Sequence, residues 1–269
     1  MPVPGALKWV LAIALTLLAL SMCANVLLGR SLLVAFEQLQ FARVFPLGYA
    51  PNEAPGTVAS GAPARADDAS APAVGTRETI ALWGDSRAYL WDTADLARER
   101  GVENFAHGGQ SSAQLLLQLQ TVPPTHSTYS IVQIGINDLH PLGALKAHKQ
   151  QILDGLRANI GAIRDALLER SDRVVLTTIF PPGPLPLQRR FSWDPQTLGL
   201  IEATNRVISE AADGRRVVVL DAYSLLRDER GLLDARYADD DFFLHVNRAA
   251  YARLNSELSV LLTIQPYEK

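Results

Sequence analysis

The sequence predicts an α/β protein whose parallel β-sheet is covered by helices on both faces. Apolar runs of strand length alternate with amphipathic segments of helix length over roughly residues 78–262. Polar clusters follow directly on two of those runs, Thr79–Trp83 and Ser130–Ile134. Because ligand sites in parallel α/β sheets form at the carboxyl ends of the strands, these clusters indicate where function resides.

The individual elements are predicted from pattern and length. Strands are expected near 78–83, 102–106, 129–135, 173–180 and 216–221, and helices near 87–100, 111–120, 143–170, 195–213 and 247–262. The longest helix has a single apolar face, formed by Ile152, Leu156, Ile160, Ile163 and Leu167. The proline-rich insertion Phe180–Asp194 follows a strand, so it is expected to overhang the carboxyl edge of the sheet.

The N-terminal segment carries an uncharged apolar stretch from Trp9 to Leu28. As a helix, its 20 residues span about 30 Å, which matches a bilayer core. Residues 1–30 are therefore predicted to be a transmembrane helix and an uncleaved signal anchor, since Met22 fits poorly in a cleavage site ending at Ala24. A short tail ahead of an anchor usually stays in the cytoplasm, so the remaining chain is expected to be extracytoplasmic, periplasmic or at the cell surface.

Two segments connect this anchor to the predicted globular domain at 77–269. Residues 31–45 read as an apolar-rich juxtamembrane helix. That helix is expected to lie on the membrane, extend the spanning helix, dock on a membrane partner or pack on its own domain. Residues 46–76 are rich in Pro, Ala and Gly and read as a tether.

Composition argues against several other functions. The formal net charge is only −3, which does not favour a nucleic acid as the main partner. The five histidines show no metal-binding spacing, and no phosphate-binding glycine motif is present. The single cysteine, Cys23, lies in the apolar stretch, so no intrachain disulfide can form.

Four polar segments carry the residue types of nucleophilic catalysis. Ser86 ends a Gly-Asp-Ser turn directly after an apolar strand, and Gly109 lies in a glycine-containing loop before a predicted helix. Asn137 belongs to a Gly-Ile-Asn-Asp turn after the next long strand, and His245 follows a run of three aspartates just before the last helix. Each segment alone also makes an ordinary turn or cap, but together they predict a catalytic constellation.

In order and in strand-end context, these segments resemble the SGNH/GDSL hydrolases. Ser86 matches the nucleophile of that family, Gly109 its second-block glycine, Asn137 its asparagine and His245 its histidine. The resemblance covers roughly residues 77–262. It implies a three-layer α/β/α sandwich with a flavodoxin-like parallel sheet.

The resemblance also implies a mechanism of acyl transfer through a serine ester. His245 would take the proton from Ser86, and the oxyanion would be stabilised by the backbone N–H groups of Ser86 and Gly109 and by the Asn137 amide. No metal or organic cofactor is implied.

One departure concerns the acid that orients the histidine. The family usually places it three residues before the histidine, where this chain has Phe242. Asp241 lies four residues before His245 and Asp240 five. Either a reshaped loop brings one of these carboxylates to the ring, with Asp241 favoured, or the chain uses a Ser–His dyad.

Two further residues are predicted to bind substrate. Arg87 directly follows Ser86 and would meet a polar or anionic group, unless it points to solvent from the first turn of its helix. Trp193 lies in the proline-rich insertion and would contact a sugar, unless it packs on its own domain.

The sequence therefore predicts a membrane-anchored serine esterase acting on O-acyl esters, chiefly acetyl, of a glycan or a lipid. One alternative is an O-acyltransferase that acts on an envelope polysaccharide with a membrane-protein partner. A second alternative is a non-catalytic scaffold subunit on a hydrolase fold.

Overall fold

The computed structural model describes residues 5–46, 77–189, 193–240 and 243–263. The chain divides into two compact units, Met1–Ala42 and Arg43–Lys269. Of the tether predicted at 46–76, only Pro46 lies within the described residues.

The first unit is helical. One continuous helix, α1, runs over 40 residues from Gly5 to Val44, which corresponds to a length of about 60 Å. Where the structure describes them, the segments predicted at 1–30 and 31–45 contribute residues 5–30 and 31–44 to this single helix. Its stretch Thr16–Ala42 has a mean hydropathy of 1.8 and is long and apolar enough to cross a membrane. A signal sequence meets the same criteria, so the helix does not define the topology of the chain.

The second unit is built on a five-stranded parallel sheet in the order β2-β1-β3-β4-β5. The strands are β1 (Thr79–Gly84), β2 (Gly101–Asn104), β3 (Ser127–Gln133), β4 (Ser171–Thr177) and β5 (Val217–Leu220). The predicted α/β class and all five predicted strands are confirmed. Because every strand is parallel, β1 and β3 deliver their carboxyl ends side by side.

Helices complete the three layers. They are α2 (Ser86–Tyr89), α3 (Leu96–Glu99), α4 (Ser112–Thr121), α5 (Ile136–Leu139), α6 (Lys149–Leu168), α7 (Thr197–Glu210), α8 (Ala222–Leu226) and α9 (Arg248–Thr263). On one face of the sheet, Ile80 and Ile131 share a buried cluster with residues of α9. On the other face, Val132 and Leu176 lie beside buried residues of α6 and α7. The apolar face predicted for the long helix is buried throughout.

The helix expected at 87–100 is instead broken into α2 and α3. The cause lies at Trp91, a residue that is 4% exposed and whose indole donates from Nε1 to Asn255 Oδ1 at 2.7 Å. Trp91 also packs against Phe180 and Tyr251. Burying this side chain against α9 stabilises the break more than continuing an exposed helix would.

Candidate active site

The turn that carries Ser86 requires glycine at its first position. Gly84 has φ +132°, and a Cβ added there would lie 1.8 Å from the carbonyl oxygen of Gln133. No other residue fits this contact without moving β1 away from β3. The turn therefore leaves the sheet in one geometry, with Ser86 as the first residue of α2.

Asp85 lies buried beneath this turn. Its Oδ1 accepts a hydrogen bond from the backbone N–H of Arg87 at 2.9 Å. With the Gln133 side-chain amide oriented so that its nitrogen faces Asp85, this nitrogen donates to the same Oδ1 at 2.7 Å. Burial raises the pKa of the Asp85 carboxyl to about 7, although the Arg87 charge and its N–H lower it. These contacts stabilise the turn, because they fix its first residues to β3.

The structure brings Ser86 and His245 together across 159 residues of sequence. His245 Nε2 lies 3.1 Å from Ser86 Oγ, which is hydrogen-bonding distance. The histidine loop is held by an antiparallel bridge between Ala238 and Val246 and by the hydrogen bond from Asp239 N to His245 O. Both side chains are partly exposed, so a substrate can approach the pair.

Of the two other predicted oxyanion donors, Gly109 lies in the loop before α4 and Asn137 lies in α5. Gly109 has φ +74° and precedes Gln110, whose carbonyl oxygen accepts from Asn137 Nδ2 at 3.1 Å. At the other end of this loop, His107 N donates to Gly84 O at 2.9 Å, next to the Ser86 turn. The Gly109 loop is thus attached both to the turn after β1 and to the turn after β3.

Behind Asn137 lies a second buried carboxylate, Asp138. It accepts from the backbone N–H of Ser112 at 2.9 Å and from the Ser112 hydroxyl at 2.6 Å. Burial raises the pKa of Asp138 to about 6, although the two Ser112 hydrogen bonds lower it. This contact joins α5 to the first residue of α4.

A family model described as GDSL-like lipase/acylhydrolase matches residues 73–253, about two thirds of the chain. The chain belongs to the GDSL-like lipase/acylhydrolase family. Its four predicted catalytic segments all lie within the matched region. A comparison with curated protein sequences finds no match.

Solved structures agree with this GDSL-like acylhydrolase fold. A GDSL-like lipase from Bacteroides thetaiotaomicron is 19% identical with a TM-score of 0.54, over 69% of this chain and 87% of its own. A variant of Axe2, an acetyl xylan esterase from Geobacillus stearothermophilus, is 16% identical with a TM-score of 0.53, over 73% and 99%. The protein LAE5, described as an alpha/beta hydrolase from the metagenome of Lake Arreo, is 14% identical with a TM-score of 0.51, over 68% and 94%. At these identities the likeness concerns the fold.

The acylhydrolase is accordingly a serine hydrolase of the SGNH/GDSL type. Among the described residues, no group of three or more His, Cys, Asp or Glu side chains is placed to hold a metal ion. Asp241, predicted to orient His245, lies outside the described residues. Asp240 is exposed and donates its backbone N–H to Asp239 Oδ1.

Arg87 does not occupy the position predicted for a substrate contact. Its side chain is buried, with 1% of the residue exposed, and its guanidinium lies 5.2 Å from the centre of the Phe180 ring. Nε donates to Leu244 O at 2.8 Å and Nη1 donates to Phe180 O at 3.1 Å. The expectation of substrate binding is therefore corrected: Arg87 holds the segment next to His245 against the Ser86 turn.

Trp193 is likewise buried rather than presented to a ligand. Only 6% of it is exposed, and its ring packs edge-on against the Phe243 ring, with 4.9 Å between ring centres, and at a tilt against the His140 ring, with 5.5 Å between ring centres. The expectation that it contacts substrate is corrected to the packing alternative. Arg189 lies in the same cluster, 5.3 Å from the Phe243 ring centre and with Nη1 3.3 Å from His140 Nε2.

Sequence reasoning missed this cluster and the buried polar groups behind the turns. His140 follows Asn137 by three residues, which places both near one face of a helical segment. This spacing could have indicated from sequence that His140 lies near the site. Gln133 is a polar residue at the buried end of an apolar strand, and such a residue requires a polar partner. Asn159 gave no signal, because its partner Ser112 lies 47 residues away.

Proposed function

We propose that the chain hydrolyses O-acyl esters, chiefly acetyl esters, on a glycan or a lipid through an acyl-enzyme at Ser86. The observation that carries this proposal is the 3.1 Å contact between Ser86 Oγ and His245 Nε2. A nucleophile and a base at hydrogen-bonding distance, at the carboxyl edge of a parallel sheet, form the core of a serine hydrolase site.

In the proposed first step, His245 Nε2 accepts the proton of the Ser86 hydroxyl as Oγ attacks the ester carbonyl carbon. The carbonyl oxygen becomes an oxyanion that accepts hydrogen bonds from the backbone N–H groups of Ser86 and Gly109 and from Asn137 Nδ2. Each such donor lowers the barrier by about 3 kcal/mol. Asn137 has two Nδ2 hydrogens, so donation to Gln110 O leaves its amide a second donor.

In the proposed later steps, the protonated His245 gives its proton to the departing alcohol oxygen as the C–O bond breaks. Water then loses a proton to His245 and attacks the acyl-enzyme carbon, and the proton returns to Ser86 Oγ as the acid leaves. No redox equivalent or metal ion enters this balance. Asp241 is proposed as the acid that orients His245, because the alternative Asp240 is exposed.

The substrate and the location form the finer part of the proposal. The acetyl xylan esterase among the similar folds supports an acetylated glycan, and the basic residues His140 and Arg189 provide polar groups beside Phe243. The apolar α1 supports a single membrane anchor, with the acylhydrolase domain proposed to be extracytoplasmic. No nucleic acid is proposed as a partner.

The test uses the full chain purified in a mild detergent. We expect hydrolysis of p-nitrophenyl acetate and release of acetate from acetylated xylan, lowered at least about 10³-fold by Ser86→Ala and by His245→Ala. Asp241→Asn is expected to lower kcat, whereas Asp240→Asn provides a matched control without this effect. If the chain hydrolyses lysophosphatidylcholine and none of the acetyl esters, the proposed substrate becomes a lipid instead of a glycan.

The outcomes separate the alternatives. If acetyl groups pass to a polysaccharide hydroxyl faster than to water, the proposal of hydrolysis gives way to an acyltransferase with its membrane-protein partner. If the wild-type chain neither hydrolyses these esters nor reacts with a fluorophosphonate probe, the catalytic proposal is wrong and a scaffold role remains. For the anchor, N-terminal sequencing of the membrane-bound chain should return Met1 or Pro2; an N-terminus after Ala24 would show cleavage.

A further inference from the structure

The loop that carries Gly109 is held by two successive residues of the turn after β3. Asn137 donates from its side chain to Gln110 O, and Asp138 accepts from the N–H of Ser112. These contacts fix the Gln110–Ser111 and Ser111–Ser112 peptide groups, which follow Gly109 in the same loop. The loop that carries the Gly109 N–H is therefore attached to α5, which carries the Asn137 amide.

The contact between Asp138 and Ser112 is suited to hold this loop because it is buried and consists of two hydrogen bonds. Asp138 is 1% exposed and Ser112 is fully buried. The carboxylate meets the N–H at the start of α4, where the positive end of the helix dipole lies, and accepts the Ser112 hydroxyl as well. Two charge-assisted hydrogen bonds without competing water define one orientation of α5 relative to α4.

A third residue completes the arrangement from α6. Asn159, which is 3% exposed, donates from Nδ2 to Ser112 Oγ at 2.9 Å. The Ser112 hydroxyl thus accepts from Asn159 and donates to Asp138, so its hydrogen points at the carboxylate. The serine can transmit the orientation of the carboxylate but has no access to substrate itself.

We propose that Asp138 is a positioning residue of the oxyanion hole, acting through Ser112 and supported by Asn159. The proposal rests on the function proposed above, because an oxyanion forms only if Ser86 attacks an ester. Asp138 does not touch the reacting atoms. It sets the distance between the Gly109 N–H and the Asn137 amide, and transition-state stabilisation depends on that distance.

The variants Asp138→Asn and Ser112→Ala test this role in the full chain in detergent, with p-nitrophenyl acetate as substrate. Asparagine keeps the size of Asp138 but offers a single acceptor atom and no charge, so the two charge-assisted hydrogen bonds that Ser112 donates cannot both be kept. Misplaced oxyanion donors act on the transition state, so we expect kcat to fall about 10- to 100-fold while KM changes less than about threefold. Affinity for phenylboronic acid, which forms a tetrahedral adduct with a serine, is expected to fall in parallel with kcat.

Two controls separate positioning from loss of fold. Ser171 is also fully buried and donates one hydrogen bond, to Leu167 O, at the amino end of β4. Ser171→Ala also removes a buried hydroxyl and its hydrogen bond, so it should lower the melting temperature, with kcat unchanged. The double variant Ser112→Ala/Asp138→Asn should lose no more activity than Asp138→Asn alone, because one residue acts through the other.

The possible failures are distinct. If the wild-type chain is active but both variants keep kcat within twofold, or raise KM instead, the positioning role is overturned and the esterase function stands. Additive losses in the double variant also overturn it. If the wild-type chain neither hydrolyses the ester nor reacts with a fluorophosphonate, the proposed function fails and this inference fails with it.

Discussion

The guanidinium of Arg87 donates from Nε to the backbone carbonyl of Leu244 at 2.8 Å. The residue that follows the proposed nucleophile thereby holds the residue that precedes the proposed base. Tyr251 adds a second connection, since its hydroxyl donates to Arg87 O at 2.9 Å. The Ser86–His245 distance thus depends on a buried cation in a position where a surface substrate contact is expected from sequence.

Replacing this cation should uncouple the two catalytic segments. Arg87→Lys keeps the charge, but a single ammonium cannot reproduce the forked geometry that reaches both Leu244 O and Phe180 O. We expect a loss of about 3 kcal/mol in the free energy of unfolding and a fall in kcat of about tenfold or more. Denaturant titration and steady-state kinetics measure both. The exposed Arg230, which pairs with the partly buried Asp228, offers the control Arg230→Lys, which should change neither.

The first glycine of the turn should tolerate no side chain. Gly84→Ala places a methyl group where Gln133 O already lies and demands a φ that alanine avoids. We expect a cost on the order of 3 kcal/mol or more, with loss of activity in whatever remains folded. The control is Gly161→Ala in α6, where the new Cβ meets nothing within 4 Å. That change should stabilise the domain by roughly 0.5–1 kcal/mol, and equal effects of the two substitutions would contradict the clash.

The Asp85 carboxyl predicts how stability changes with pH. Its pKa is raised from 3.8 to about 7 by burial, so the folded chain holds this proton more tightly than the unfolded chain does. The corresponding stabilisation is fully present below about pH 4 and is lost as the pH rises through about 7.

The variant Asp85→Asn carries no ionisable group at this position. Its free energy of unfolding relative to wild type should therefore rise by a few kcal/mol between pH 4 and pH 8, on the order of 1.4 kcal/mol per unit of pKa shift. Unfolding titrations at several pH values measure this gain. The exposed Asp154→Asn variant is the control and should show no comparable gain. A difference in the free energy of unfolding between Asp85→Asn and wild type that stays constant across this pH range would contradict the prediction.

Trp193 should behave as a packing residue. Trp193→Ala removes the ring that lies against Phe243, two residues before His245. We expect a loss of about 3–5 kcal/mol in stability, with lower kcat on p-nitrophenyl acetate and on acetylated xylan alike. Thermal unfolding and kinetics on both substrates check this. A change confined to KM for xylan, with stability retained, would restore the sugar-contact reading.

Much of the fold follows from local patterns in this chain. The apolar residues from Ile152 to Leu167 recur with the helical period and predict the buried face of α6, and the continuous apolar run Thr79–Trp83 has strand length and predicts β1. Ser86 and His245 are placed by motif resemblance, and the structure brings them into contact. Period and motif are local properties, so one sequence is enough to read them.

The features that sequence reasoning did not reach depend on distant partners. The break at Trp91 is made by Asn255, 164 residues away, and the burial of Arg87 is made by the carbonyl groups of Phe180 and Leu244. The partner of Asp138 lies 26 residues earlier. No local pattern encodes such pairs, because the energy that selects them arises only when separate elements pack.

The separation of Ser86 and His245 in sequence has a consequence for biosynthesis. The proposed nucleophile is synthesised early, and its proposed base follows 159 residues later. A nascent chain that emerges N-terminus first contains the serine, the glycine loop and the asparagine before it contains the histidine. On the proposed mechanism, ester cleavage starts only after His245 has been made and packed, so we expect fragments that end before His245 to be inactive.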